Sequence, residues 1–198
     1  MQAATVVHVL SPGGRPRARR LGVPSAALGM ALLSVTAWAG PASDEPVVRV
    51  SEVAGVFTVA ARFHVPQAPA SVLAILTDYE GIPRVMPDVT RSIVTSRSAD
   101  RVLVEQEAVS RLLFFSKTVH LVLDVRETET ALSFRDVCRR SFTVYEGAWR
   151  VTPVPGATLV TYDLRAQPAF DVPDFLAKRL FTRDARRLIA RLRQAIGS

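Results

Sequence analysis

The residues best suited to acid–base chemistry lie mostly in one short segment of the chain. Asp78, Tyr79 and Asp88 stand beside Gly and Pro turns, and Arg150 lies far along the chain in a strand-like segment. Carboxylates in such a place can act as a general acid or base on a bound substrate. Aspartate is also a common residue of turns and helix ends, which explains the same positions structurally. We expect no catalytic site, and these four residues are the candidates should there be one.

Metal and thiol chemistry are not predicted. His64 and His120 are the only histidines beyond residue 39, and neither has a zinc-ligand spacing. His120 alternates with apolar neighbours, which places it on the predicted solvent face of a strand. Cys138 is the only cysteine, so no intrachain disulfide can form, and it lacks an activating neighbourhood. We expect neither a metal ion nor a cofactor.

Residues 1–39 have the three-part pattern of a secretory signal peptide. Arginines cluster at 15–20, an apolar run covers 21–39, and alanines at 37 and 39 precede Gly40. We predict Sec-type export to the periplasm or the medium, with cleavage near Ala39/Gly40. An uncleaved segment would be a membrane anchor, but Gly, Pro and Ser dilute the run below the roughly 20 apolar residues that a spanning helix needs.

The overall charge gives little support to nucleic-acid binding. The 198-residue chain has a net charge of +7, but four of its 25 basic residues and none of its 18 acidic residues lie in 1–39, which leaves +3 beyond them. Hydrophobic residues make up 48% of the chain, enough for a sizeable core. Nucleic acid is therefore not expected as a partner.

Hydrophobic periodicity predicts an α+β domain over 53–198, after a short tail at 40–52. A strand over 53–65 is followed by a short helix from Pro69 to near Asp78 and by a second helical turn. A meander of six antiparallel strands follows, at 92–98, 101–112, 115–127, 131–139, 142–151 and 158–166. A helix over 173–196 ends the chain and is long enough to cover the sheet.

Three motifs follow that order of elements. They are VLAILTDYEGIP at 72–83 with MPDV at 86–89, GAWRVTP at 147–153 with GATLVTY at 156–162, and PAFDVP at 168–173. Together they resemble segments of the START-like (SRPBCC) superfamily, in its polyketide cyclase/dehydrase and coenzyme Q-binding branch. The resemblance implies a helix-grip fold: a curved antiparallel sheet of about seven strands wrapped on a long C-terminal helix, with a short helical pair after the first strand.

The resemblance also implies a hydrophobic ligand held between sheet and helix. A curved sheet cannot touch a straight helix everywhere, so an apolar cavity remains unless large side chains fill it. The candidate lining residues are apolar or aromatic: Phe63, Met86, Phe115, Phe134, Tyr145, Trp149, Tyr162, Phe175 and Phe181.

Three functions are compatible with these features. The first is a binding or carrier protein for a quinone, fatty acid or polyketide-like molecule. The second is a cyclase or dehydratase-like enzyme that acts on a polyketide-like or aromatic substrate in the same cavity. The third is an interaction protein whose groove is filled by its own side chains, which a pocket below about 300 Å³ would favour.

The last helix carries a marked excess of positive charge. Seven basic residues stand against Asp174 and Asp184: Lys178, Arg179, Arg183, Arg186, Arg187, Arg191 and Arg193. Exposed helix faces usually mix both signs, so this bias favours transient contact with an anionic membrane surface or an acidic partner. A solvated basic face is the alternative.

Overall fold

A computed structural model of the chain describes residues 45–112 and 115–197, without the side chains of 111, 112 and 115. The predicted signal peptide and its cleavage site lie outside the described residues. The strands are β1 (Val47–Val53), β2 (Val56–Val65), β3 (Val89–Arg97), β4 (Arg101–Leu112), β5 (Phe115–Glu127), β6 (Ala131–Asp136), β7 (Phe142–Val154) and β8 (Ala157–Pro168). The helices are α1 (Pro69–Leu76), α2 (Ile82–Val85) and α3 (Asp174–Gly197), with a 3₁₀ turn at Tyr79–Gly81.

The strands that the structure describes form one eight-stranded antiparallel sheet in the order β1-β2-β8-β7-β6-β5-β4-β3. The last strand, β8, pairs with β2 near the start of the chain, and the intervening strands pair with their sequence neighbours. The short helices lie between β2 and β3. The predicted helix-grip order is therefore confirmed.

The predicted number of strands is one too low because the sequence hides a hairpin turn. Residues 53–65 read as one strand, but Ala54 and Gly55 both have positive φ, at 52° and 77°. Two such residues between antiparallel strands make a tight hairpin, and Val53 pairs with Val56 across it. Ala54 is an unusual residue for that conformation. The segment that begins at Val47, predicted as part of a tail at 40–52, forms the edge strand β1.

One face of the sheet is covered, and α3 covers it. On β8 the side chains of Val160, Tyr162, Leu164 and Ala166 are buried, and those between them point to solvent. The helix turns an apolar stripe toward the sheet and buries Ala177, Ala185, Ile189, Leu192 and Ile196. Each large aliphatic side chain buried in this way contributes about 1.5–3 kcal/mol of transfer free energy. Of the helices described, none combines the length and hydropathy needed to cross a bilayer.

Gly147 marks a point of close approach on β7. A Cβ atom at this position would collide with the carbonyl oxygen of Asp163 on β8 and would lie 2.7 Å from Cζ of Phe134 on β6. Glycine therefore lets the ring of Phe134 lie over β7. That ring fills the inner face of the sheet beside Tyr145, with ring centroids 5.9 Å apart.

Candidate ligand cavity

A cavity of about 240 Å³ lies between the inner face of the sheet and the N-terminal half of α3. Strands β4, β5, β7 and β8 form one wall, and α3 from Ala177 to Leu188 forms the other. Its lining is mostly apolar and includes three alanines, Ala108, Ala177 and Ala185, whose small side chains leave the space open. The volume is just below the roughly 300 Å³ at which ordinary ligand sites begin. The site therefore suits a small molecule or one part of a larger one.

Four of the aromatic and apolar residues predicted to line a cavity do so. Met86, Tyr145, Tyr162 and Phe181 all border this space. Phe181 is held by a stacked contact with Phe57 on β2, with ring centroids 4.8 Å apart. Sheet, helix and the α2–β3 connection therefore each contribute a predicted residue to the site.

Four other predicted lining residues lie elsewhere. Phe63 is only 2% exposed and belongs to the closed part of the core. Trp149 stacks on Tyr162 with ring centroids 4.2 Å apart, and Phe134 packs beside the tyrosines, so both lie next to the cavity on the same face of the sheet. Phe175 is 72% exposed, because the apolar stripe of α3 begins beyond it. The side chain of Phe115 lies outside the described residues.

The two tyrosines give the cavity its phenol groups. Burial raises the pKa of Tyr145 to about 12, with a smaller effect from the charge of Asp136. Burial also raises the pKa of Tyr162 well above its usual value, with a smaller effect from Tyr145. Both hydroxyls therefore stay protonated at physiological pH and can donate hydrogen bonds.

Charged side chains on α3 and the α2–β3 connection border the cavity. Arg187 Nη1 lies 4.0 Å from Asp88 Oδ2, which links α3 to that connection. Arg183 Nε donates to Asp184 Oδ1 at 2.9 Å. Burial raises the pKa of Asp184, partly offset by Arg183. An anionic or polar head group could meet these groups while an apolar body occupies the cavity.

A lysine on the sheet side completes this set of charges. Lys117 on β5 borders the cavity, and its Nζ lies 5.0 Å from the ring centroid of Phe170 in the segment before α3. Neither this lysine nor Gln106 of β4 was among the predicted lining residues, because those were chosen for apolar or aromatic side chains.

Two of the proposed catalytic residues have structural roles away from the cavity. Asp78 Oδ2 accepts a hydrogen bond from Arg84 at 2.8 Å and its other oxygen caps the 3₁₀ turn. The Tyr79 hydroxyl donates to Glu127 Oε1 at 2.7 Å, and Arg97 lies over the Tyr79 ring. Burial raises the pKa of Tyr79 strongly, and the Glu127 hydrogen bond adds to this. These contacts fix the 3₁₀ turn to the sheet.

Of the other two catalytic candidates, one reaches the cavity. Arg150 lies on the outer face of β7 and pairs with Asp163 at 3.1 Å, with both side chains more than half exposed. Asp88 borders the cavity near Arg187. The four candidates therefore do not assemble into one site, and Asp88 is the one of them that borders the cavity.

The basic residues of α3 divide between two places. Lys178, Arg179, Arg183 and Arg186 line an open surface groove that also contains the exposed ring of Phe175. Arg183 and Arg187 also border the cavity. Arg191 has a buried Nη1 with no hydrogen-bond partner among the described residues. The positive charge of α3 is thus concentrated beside the cavity and on the adjoining helix surface.

One cluster of potential metal ligands lies on the outer face of β4 and β5. Ligand atoms of Glu105, Glu107 and His120 lie within 4.8 Å of one another. Their positions in the sequence do not predict this cluster, and the His120 side chain is only 19% exposed. Glu105 is already paired with Arg91 at 2.8 Å. His120 Nδ1 lies 3.6 Å from Glu107 Oε1, so the cluster forms a polar network across β3, β4 and β5.

A second concavity, on the outer face of the sheet, is a poor ligand site. It measures about 650 Å³ and lies open on the outer face, between charged side chains. Several of those charges are already paired: Arg135 and Arg101 both bind Asp124, and Arg165 binds Glu146 at 2.6 Å. The apolar cavity under α3 is less open and is the better candidate despite its smaller volume.

Comparisons with known proteins agree with this architecture. Residues 56–197 match the family described as polyketide cyclase/dehydrase and lipid transport. The fold is similar to that of the protein TTHA0849 from Thermus thermophilus, with a TM-score of 0.62, 20% identity, and coverage of 70% of this chain and 96% of that one.

Two further solved structures share the fold at lower identity. A STAR-related lipid transfer protein from Xanthomonas axonopodis has a TM-score of 0.58 and 16% identity, over 76% of this chain and 99% of that one. The Zhui aromatase/cyclase from Streptomyces sp. R1128 has a TM-score of 0.57 and 12% identity, over 71% and 91%. No curated protein matches the chain. The chain belongs to the polyketide cyclase/dehydrase and lipid transport family, within the START-like superfamily.

Proposed function

We propose that the protein binds and carries an apolar, lipid-like molecule in the cavity under α3. The observation that supports this is a mostly apolar, partly open cavity that lies between sheet and helix and is bordered by charged groups. Affinity would come mainly from apolar burial, at about 25 cal/mol per Å², less the cost of ordering the ligand. A quinone, a fatty acid and a polyketide-like molecule all have the required apolar body.

The location of this carrier is proposed from the sequence alone. The pattern at 1–39 predicts export to the periplasm or the medium. N-terminal sequencing of exported protein should give a start near Gly40, and retention of the arginines at 15–20 would contradict this.

Filling the cavity should abolish binding. Ala108 faces the cavity from β4, and Ala148 lies on the outer face of β7. We expect Ala108→Phe to release any ligand that native mass spectrometry finds on the purified wild-type protein, whereas Ala148→Phe should retain it. The matched pair adds the same side chain on opposite faces of the sheet, so a difference between them identifies the cavity as the site.

The cavity volume favours a second candidate, an interaction protein with a largely filled groove. A volume of about 240 Å³ falls below the roughly 300 Å³ at which ordinary ligand sites begin, and a smaller pocket favours a filled groove over a carrier cavity. Under this second function no apolar ligand co-purifies, and Ala108→Phe and Ala148→Phe behave alike. That result would overturn the carrier proposal.

We also propose that the basic surface of α3 contacts anionic membranes. The exposed Phe175 ring lies among Lys178, Arg179 and Arg186, and this combination of an apolar group with cations suits an anionic lipid surface. The protein should sediment with phosphatidylglycerol vesicles at low salt. It should not sediment with phosphatidylcholine vesicles, and equal binding to both would contradict the proposal.

A further inference from the structure

Three side chains with metal-binding atoms meet on the outer face of β4 and β5. Val102 and Val104 of β4 are buried on the inner face, so the alternate residues Glu105 and Glu107 both point to the outer face. His120 lies directly opposite Glu107 on β5, and side chains that lie opposite one another in an antiparallel pair share a face. Ligand atoms of the two glutamates and the histidine lie within 4.8 Å of one another.

The distance between the histidine and one glutamate suits a shared metal ion better than a hydrogen bond. His120 Nδ1 lies 3.6 Å from Glu107 Oε1, which is longer than the roughly 2.7–3.2 Å of an N–H···O hydrogen bond. Two ligand atoms on one tetrahedral zinc ion lie about 3.4 Å apart. The flexible side chain of Glu105 can bring a third ligand atom to the same ion.

The sheet holds these ligands in place. Glu107 and His120 belong to an unbroken antiparallel ladder between β4 and β5. The His120 backbone N–H donates to Ser141 Oγ at 2.9 Å, which fixes this part of β5 further. The side chains of His120 and Glu105 are 19% and 27% exposed, so an ion between them would be partly shielded from water. Ligands on rigid strands need little ordering when they bind an ion.

Arg91 on β3 competes with a cation for one of these carboxylates. Its Nη1 donates to Glu105 Oε1 at 2.8 Å. The arginine side chain is 47% exposed, and an exposed pair of this kind contributes little to stability. A carboxylate also has two oxygens, so Glu105 can bind a metal ion with its other oxygen. The ion pair therefore weakens a metal site here but does not block it.

We propose that Glu105, Glu107 and His120 bind one divalent transition-metal ion of the Zn²⁺ type. An imidazole among the ligands favours such an ion over Mg²⁺ and Ca²⁺, which prefer oxygen ligands alone. Three protein ligands leave a fourth position for water or another group. Gln106, between the two glutamates, and Leu121, beside His120, line the cavity on the inner face. The ion would therefore tie β4 to β5 behind the cavity wall.

Isothermal titration calorimetry with zinc chloride, on the full chain without a histidine tag, tests this. We expect one Zn²⁺ ion to bind per chain. His120→Gln should lower the Zn²⁺ affinity at least about tenfold, because loss of even an outer-shell partner costs a metal site that much. The matched control is His64→Gln. His64 lies on β2 and belongs to no such group among the described residues, so this variant should bind Zn²⁺ like the wild type.

Two further measurements distinguish a metal site from a simple polar network. Arg91→Gln removes the competing cation, so it should raise the Zn²⁺ affinity about two- to fivefold. Zn²⁺ should also raise the Tm of the wild type but not that of His120→Gln, because an ion that binds only the folded state stabilises it. Magnesium chloride at the same concentration should leave the Tm of both proteins unchanged.

The proposal is wrong if Zn²⁺ does not bind with a defined stoichiometry. It is also wrong if the two histidine variants lose the same affinity, which would indicate adventitious binding, or if Mg²⁺ binds as tightly as Zn²⁺. If His120→Gln fails to fold by circular dichroism, the Zn²⁺ affinity of Glu107→Gln decides by the same criterion. None of these results bears on the carrier proposal, because the cavity lies on the opposite face of the sheet.

Discussion

The two halves of α3 face the same sheet but meet it differently. The C-terminal half buries Ile189, Leu192 and Ile196 in a closed core. The open half, by which we mean α3 as far as Leu188, lines the cavity with Leu180 and Leu188, neither of which is fully buried. Both halves carry the same apolar stripe. The difference shows that helical periodicity decides which side of a helix is covered, and that the opposing side chains decide whether the contact is closed.

Side-chain size accounts for the open half. Small residues face the cavity from both walls: Ala108 on β4, and Ala177 and Ala185 on α3. At the closed end, Phe63 and Val151 of the sheet are among the side chains that fill the core with the helix. Interiors are normally packed to crystal-like density, so the open half of the helix departs from the packing of the core beside it.

The strongest test of this comparison removes the same atoms from each half. Leu192→Ala should lower the free energy of unfolding by about 3 kcal/mol, because it adds a new cavity to a closed core. Leu188→Ala lies one turn away and borders space that is already open, so we expect a loss of only about 1 kcal/mol. Urea denaturation of both variants measures the difference. Equal losses would show that the two halves are packed alike.

The next test concerns Gly147, in the sheet beside the two cavity tyrosines. Gly147→Ala should cost about 2 kcal/mol, since its Cβ would collide with the Asp163 carbonyl and press on Phe134. The strain would fall on the wall of the open half, so binding of the cavity ligand should weaken together with stability. A loss below about 0.5 kcal/mol, the range of ordinary surface changes, would show that β7 can shift and that the wall is not rigid.

Much of the fold follows from periodicity in the sequence. Alternation along the strands and the stripe on the last helix predicted the α+β order and nearly all the elements. The edge strand β1 was missed because its hairpin turn uses Ala54 at positive φ, where Gly, Asn or Asp would have given a signal. Local sequence preference was overridden there by pairing between β1 and β2.

The candidate site was harder to predict. Alternation of apolar and polar residues predicts which face of the sheet a side chain lies on, but it does not predict where on that face the cavity is. Phe63 and Tyr162 both point to the inner face, but only Tyr162 borders the cavity. The residues that create the space are alanines, and an alanine carries no sequence signal of its own. Phe175 was misplaced because it begins α3 beyond the sheet-covering stripe, where its ring stays 72% exposed.

The smallest expected effect concerns Asp184, the carboxyl on the open half of α3. Burial raises its pKa, and the nearby charge of Asp88 adds to this while Arg183 and Arg187 oppose it. The folded state therefore holds the proton more tightly than the unfolded state, so the contribution of this group to stability is lost as pH rises from about 3.9 through the higher folded pKa.

Asp184→Asn removes this titration. We expect the free energy of unfolding of the wild type minus that of Asp184→Asn to fall as pH rises from about 3.5 to 7. Urea denaturation of both proteins at each pH measures this difference. The side chain is 42% exposed, so solvent screening limits the change to roughly a few tenths of a kcal/mol. A relative stability that instead rises with pH would mean that Arg183 stabilises the carboxylate more than burial penalises it. The open half of the helix would then be better hydrated than its contacts indicate.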